Sequence, residues 1–174
     1  MKSETIHQIE SMDDFRLLRF FNYFSNTLFN KVDVDMETIM NQLPQDVKNI
    51  SEMQTVINHE EQYSMLLDQK EAIEFARTSL LQLANNENFE PALAEAIKNY
   101  RDDEMPAAEI LALGAAVSFI LLLATSKISY KSGKGWVINI GGEGTPEKIV
   151  SKTALVKELF NVIPNSILKL VGKN

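Results

Sequence analysis

The stretch ILALGAAVSFILLLATS, residues 110–126, contains no charged residue. As a helix it would be apolar on every side, and such a helix is stable only in lipid or inside a shell of other elements. At 1.5 Å per residue the run is about 25 Å long, short of the roughly 30 Å hydrocarbon thickness of a bilayer. The flanks fit a membrane: acidic residues precede, Lys127, Lys131 and Lys134 follow, and Tyr130 and Trp136 suit an interface. Against this, at least four amphipathic helices elsewhere in the chain need apolar surface to cover. The expected fold is therefore mainly α (α+β), a helical bundle around one central apolar helix over about 106–126, with a C-terminal β-hairpin over about 127–140. A membrane span or inserting segment over 110–126 is the alternative.

The remaining elements follow from spacing and caps. SMDDFRLLRFFNYFSNTLFNK reads as a helix with Ser11 as N-cap and acidic residues in its first turn. Phe15, Leu18, Phe21 and Phe29, with Leu17, Phe20, Phe24 and Leu28 beside them, form a wide apolar stripe that must be covered by the core or by a partner. DVDMETIMNQL is a short helix capped by Asp33 or Asp35 and ended by Pro44. Between Val47 and Asn85 the pattern is helical with a break near 58–61. Its clearest part is DQKEAIEFARTSLLQLA, where Ala72, Ile73, Ala76, Leu80, Leu83 and Ala84 recur at helical spacing. NNEN ends that helix, and Glu90 with Pro91 opens the next, through Tyr100. Pro106, with Asp102, Asp103 and Glu104 before it, suits the start of the apolar helix.

Beyond residue 126 the period changes to alternation, and KISYKSGKGWVINI reads as strand, turn and strand. A three-residue loop of Gly133, Lys134 and Gly135 would pair Ser132 with Trp136, Tyr130 with Ile138 and Ile128 with Ile140, leaving every large apolar side chain on one face. SKTALVKELFNVI is a helix capped by Ser151 and stopped before Pro164, and SILKLV forms a last short element. With 174 residues the chain is read as a single domain, 1–174, long enough to bury about two-thirds of its unfolded surface. Its parts are an N-terminal helical region 1–58, a helical core 59–126, and hairpin with C-terminal helices 127–174.

Chemistry is sparse. Cysteine is absent, which excludes disulfides, thiolate metal sites and thiol nucleophiles, and the start MKSETIHQIESMDDF lacks the apolar run of a secretory signal. Cytoplasmic residence is the expectation. Asp33, Asp35 and Glu37 match the first half of a calcium loop, but Thr38 and Pro44 stand where glycine and glutamate are required. HEEQY around His59 lacks the second histidine of a zinc-hydrolase helix, and neither SGKGW nor GGEGTP has the lysine and hydroxyl order of a phosphate loop. No nucleophile elbow is present. No cofactor, metal or catalytic residue is assigned.

Charge is uneven: residues 1–109 carry a net −12 and residues 110–174 a net +5. The basic residues of the last third are all lysine, a poor basis for nucleic-acid binding. The sequence thus points to a non-catalytic protein that binds another protein, as adaptor, inhibitor, immunity factor or accessory subunit. The candidate contact residues are Phe20, Phe24, Trp136, Lys131 and Lys134, the partner is a protein, and the oligomeric state is left open.

Overall fold

Helix starts are set by side-chain caps that satisfy the first free N–H groups. The computed structural model describes residues 3–30, 35–58, 66–87, 89–102, 111–131, 135–140 and 152–163. Ser3 accepts the Ile6 N–H and opens α1 (Glu4–Ser11), a helix too short and too sparse in apolar residues to stand out in the sequence. Ser11 is therefore the last residue of α1 and not the cap of the next helix; its hydroxyl donates to the Gln8 carbonyl. The cap falls two residues later, where Asp13 accepts the Arg16 N–H at 2.9 Å and opens α2 (Asp14–Asn30). Asp35 caps α3 (Met36–Asn41), and the short α4 (Gln45–Lys48) follows Pro44. Next come α5 (Ser51–Asn58) and α6 (Gln69–Ala84), the latter capped by Asp68, then α7 (Glu90–Asn99) with Pro91 in its first turn.

The apolar run forms α8 (Leu113–Thr125), whose start differs from the expected 106. Leu111 and Ala112 are extended: the Leu67 N–H donates to the Leu111 carbonyl at 2.9 Å, and Leu66 and Ala112 form an isolated bridge. Backbone pairing takes up the beginning of the run, and the helix starts only past it. Residues 103–110 lie outside the described part. At 13 residues α8 is about 20 Å long, and no helix among the described residues is long and apolar enough to cross a membrane. Ten of its residues are buried, on all sides of the axis. The helix is thus a core element.

Its surroundings explain the wide stripe on α2. Phe21 meets Phe75 of α6 at 5.8 Å between ring centroids and Phe119 of α8 at 5.0 Å, both edge-on. Phe20 meets Tyr100, just past α7, at 5.3 Å. One helix thus packs against three neighbours, which needs a broader apolar arc than one neighbour would. The buried hydroxyls of Ser25, Ser79 and Thr125 each donate to the carbonyl four residues back, so none is left unpaired in the core. The last helix, α9 (Lys152–Val162), lies beside α6 and α8 and adds Leu155, Val156, Leu159 and Phe160 to the same buried cluster. Among the described residues the chain is predominantly helical.

The backbone of β1 (Ser126–Lys131) and β2 (Gly135–Ile140) is antiparallel, with Ile128 opposite Ile138 and Tyr130 opposite Trp136. This register differs from the expected one: the connection is displaced one residue toward the N-terminus, and Gly135 pairs with Lys131. A displacement of that kind changes every cross-strand partner by two positions, so the same alternating set stays on one face, and the apolar pattern cannot tell the two registers apart. The side chains of both strands lie outside the described part, so whether their apolar face covers the core belongs to the proposal below.

Ala116 has no exposed surface, while Ala115 is exposed on the same helix. Ala116→Leu should lower stability by about 1–3 kcal/mol through overpacking, and Ala115→Leu should leave the chemical-denaturation midpoint almost unchanged. Equal effects of the two would mean that α8 does not sit in the core as described.

Candidate functional site

Of the sequence-expected contact residues, only Phe20 and Phe24 have side chains within the described part. Phe20 and Phe24 have 0% exposure, so as placed neither offers surface to a partner, and using them would require α2 to leave the core. Lys131 ends β1 and Trp136 lies in β2, opposite Tyr130, with neither side chain described; Lys134 is outside the described residues. The stripe was read as continuous, but its members differ in helical phase. Phe15 and Phe24 are nine residues apart, about two and a half turns, and so face opposite ways. When Phe24 is buried, Phe15 must face out, and it is 50% exposed. That phase difference was the available signal. Leu66, at 55%, is the other large apolar side chain so exposed among the described residues, and it borders residues outside them.

Phe15 sits on the first turn of α2 beside a cleft of about 380 Å³ that it lines with Asp14, Gln69, Lys70 and Ile73. Behind the same turn is a second cleft of about 290 Å³, lined by Gln8, Ser11, Met12, Asp13, Arg16 and Ile97. Ion pairs fix the two flanks. Toward α6, the Arg77 guanidinium donates to Asp14 at 3.1 Å and to the Ile9 carbonyl at 3.4 Å, tying α1, α2 and α6 together. Toward α7, Arg16 and Arg19 share one carboxylate, Asp102, at 3.5 and 3.8 Å. The Nε–H groups of both arginines and the Tyr100 hydroxyl are shielded from solvent without a hydrogen-bond partner. Burial first, and then the Asp102 carboxylate, push the Tyr100 phenol above its ordinary value.

At the start of α6, Asp68 accepts the Glu71 N–H, which holds its carboxyl below the usual range. Glu71 moves the other way, raised by burial and by the neighbouring Asp68. Asp35 is lowered by the hydroxyl and N–H of Thr38. These are helix-cap interactions; no histidine lines either cleft, and Ser11, which lines the second, donates its hydroxyl to the Gln8 carbonyl. Among the described residues no group of three histidine or carboxylate side chains could hold a metal ion. His7 is exposed beside Glu10, and His59 is outside the described residues. What the face offers is an aromatic side chain, two clefts and guanidinium groups. No protein family, curated protein or solved structure matches the chain.

The caps give a pH dependence of fixed sign. Asp35 and Asp68 titrate lower folded than unfolded, so their contribution is present above pH 3.8 and disappears as the pH falls through the depressed values. Glu71, raised, works in the opposite sense, favouring the fold while protonated and losing that contribution as the pH rises past 4.5 toward its folded value. Asp35→Ala should lower Tm at pH 7 and converge with the parent protein toward pH 2. A constant Tm difference across that range would rule out the charged cap as its source.

Proposed function

We propose that this is a non-catalytic protein that acts by binding another protein, in the cytoplasm, as an adaptor, inhibitor or accessory subunit, and that the contact is centred on Phe15. The supporting observation is the setting of that residue. A single exposed apolar side chain is ordinary on a folded protein. Phe15 differs in lying between two clefts and two groups of arginine ion pairs, an aromatic anchor with a polar rim, which is the arrangement that concentrates binding energy at interfaces. The centre thus moves from Phe20 and Phe24 to the outer side of the same helix. In this reading the C-terminal strands lay Ile128, Tyr130, Trp136, Ile138 and Ile140 against the helical core near α7 and α8, both of which β1 runs beside. The buried setting of α8 removes the motive for using it as a span.

A photo-crosslinking amino acid placed at residue 15 in the native host tests the contact. We expect one dominant protein adduct, absent when the same group replaces the exposed Lys157 on α9. No adduct at 15, or the same adducts at both positions, would overturn the assignment of this face.

A further inference from the structure

The chain contains four arginines, Arg16, Arg19, Arg77 and Arg101, and all other basic side chains are lysine apart from two histidines. Three of them meet at the start of α2. Arg77 reaches Asp14 at the start of α2, Arg16 and Arg19 lie within its first two turns, and both contact Asp102, the chain neighbour of Arg101. Residues 14–19 span only about 8 Å of helix axis. Lys70 lies in the adjoining cleft, with the Asp68 carboxylate close by. These cations stand within residues 1–109, whose net charge is −12.

The neutralisation is also incomplete. One carboxylate serves two guanidiniums, and at 3.5 and 3.8 Å neither contact is a close bidentate pair. The Arg16 and Arg19 side chains retain 43% and 27% exposure, so part of each fork remains open to a second oxyanion. Guanidinium is more weakly hydrated than ammonium and matches carboxylates in a planar fork, so grouping arginines here and lysines elsewhere favours carboxylate recognition at this face.

We infer that this face docks an acidic segment of the partner protein, with its carboxylates on Arg16, Arg19 and Lys70 and a large apolar side chain seated beside Phe15. The inference rests on the protein-binding reading above and names the chemistry of the partner. Charge complementarity selects the occupant: Arg16 and Arg19 share the single Asp102 carboxylate and stay partly exposed, so a second carboxylate brought by the partner completes the pairing.

Selection of random peptides displayed on phage against the full-length protein tests this without knowledge of the partner. We expect enrichment of sequences in which Asp and Glu surround a Leu, Phe, Trp or Met. Synthetic copies of the winners should bind at least about tenfold more weakly to Arg16→Glu/Arg19→Glu and to Lys70→Glu, and as well as before to Lys157→Glu. Phe15→Ser should weaken them too. It leaves the ion pairs of Arg16, Arg19 and Arg77 in place, and with Lys70→Glu it keeps the test open if the double arginine variant fails to fold, as judged by Tm. No enrichment, winners without acidic bias, or binding that survives both Lys70→Glu and Phe15→Ser would overturn the inference. A protein crosslinked at residue 15 but retained equally by the charge-reversed variants would remove the acidic-segment proposal and leave protein binding standing, whereas failure to crosslink would remove the latter.

Discussion

A helix without a polar face forces the rest of this structure. Ten of the thirteen residues of α8 are buried, and their removal from water is favourable only if other elements cover every side. Coverage is supplied by α3 and α9 at close range and by the aromatic group around Phe119, where Phe21 and Phe75 meet it and each other edge-on. Edge-on packing sets the positive rim of one ring against the negative face of the next and fixes side-chain angles that aliphatic packing leaves free. The Ser25, Ser79 and Thr125 hydroxyls bond back to their own helices, while Thr5 on α1 donates to Glu90 at the start of α7. What aligns α2, α6 and α8 is shape.

Because the interior is largely apolar, the charges are left to set helix ends and surface contacts. Asp13, Asp35 and Asp68 each accept an N–H three residues on, placing negative charge where the helix dipole favours it. Aspartates used in this way account for part of the acidic excess of the first two-thirds of the chain. The arginines work differently, joining elements distant in sequence: Arg77 holds α6 to α1 and α2, while Arg16 and Arg19 hold α2 to the end of α7. As exposed or half-exposed pairs they add little to stability. Their value lies in position, since they hold two guanidiniums and the Phe15 ring on one short stretch of helix.

The sequence made the core legible where periodicity and caps agreed. In α6 the residues expected to face inward are buried except Ile73, which packs partly against the core, and the helix ends at NNEN as expected. Pro91 and Pro164 mark a start and a stop near the observed ones for α7 and α9. Legibility failed where a local rule met a tertiary one. Ser11 is a good cap by type, but the N–H in reach of a cap at the start of α2 is served by Asp13. The apolar run was expected to be helical from 106, yet pairing with residues 66 and 67 holds 111 and 112 extended, a contact between segments about 45 residues apart that no local pattern shows.

The site was hidden for a different reason. An interface of aromatic and guanidinium groups has no fixed spacing, because its geometry is supplied by the partner as much as by the chain; catalytic and metal sites can be read from motifs because their chemistry dictates distances. Phe15 lay within a run of phenylalanines whose abundance argued for core, and only the helical phase separates it from its neighbours. Arg16, Arg19, Arg77 and Arg101 come from three parts of the chain and share nothing in sequence except residue type. Choosing arginine over lysine at these positions and nowhere else gains little in helix propensity or exposed-pair stability. It does change how a carboxylate is recognised, since a guanidinium presents a planar fork where an ammonium presents a point charge.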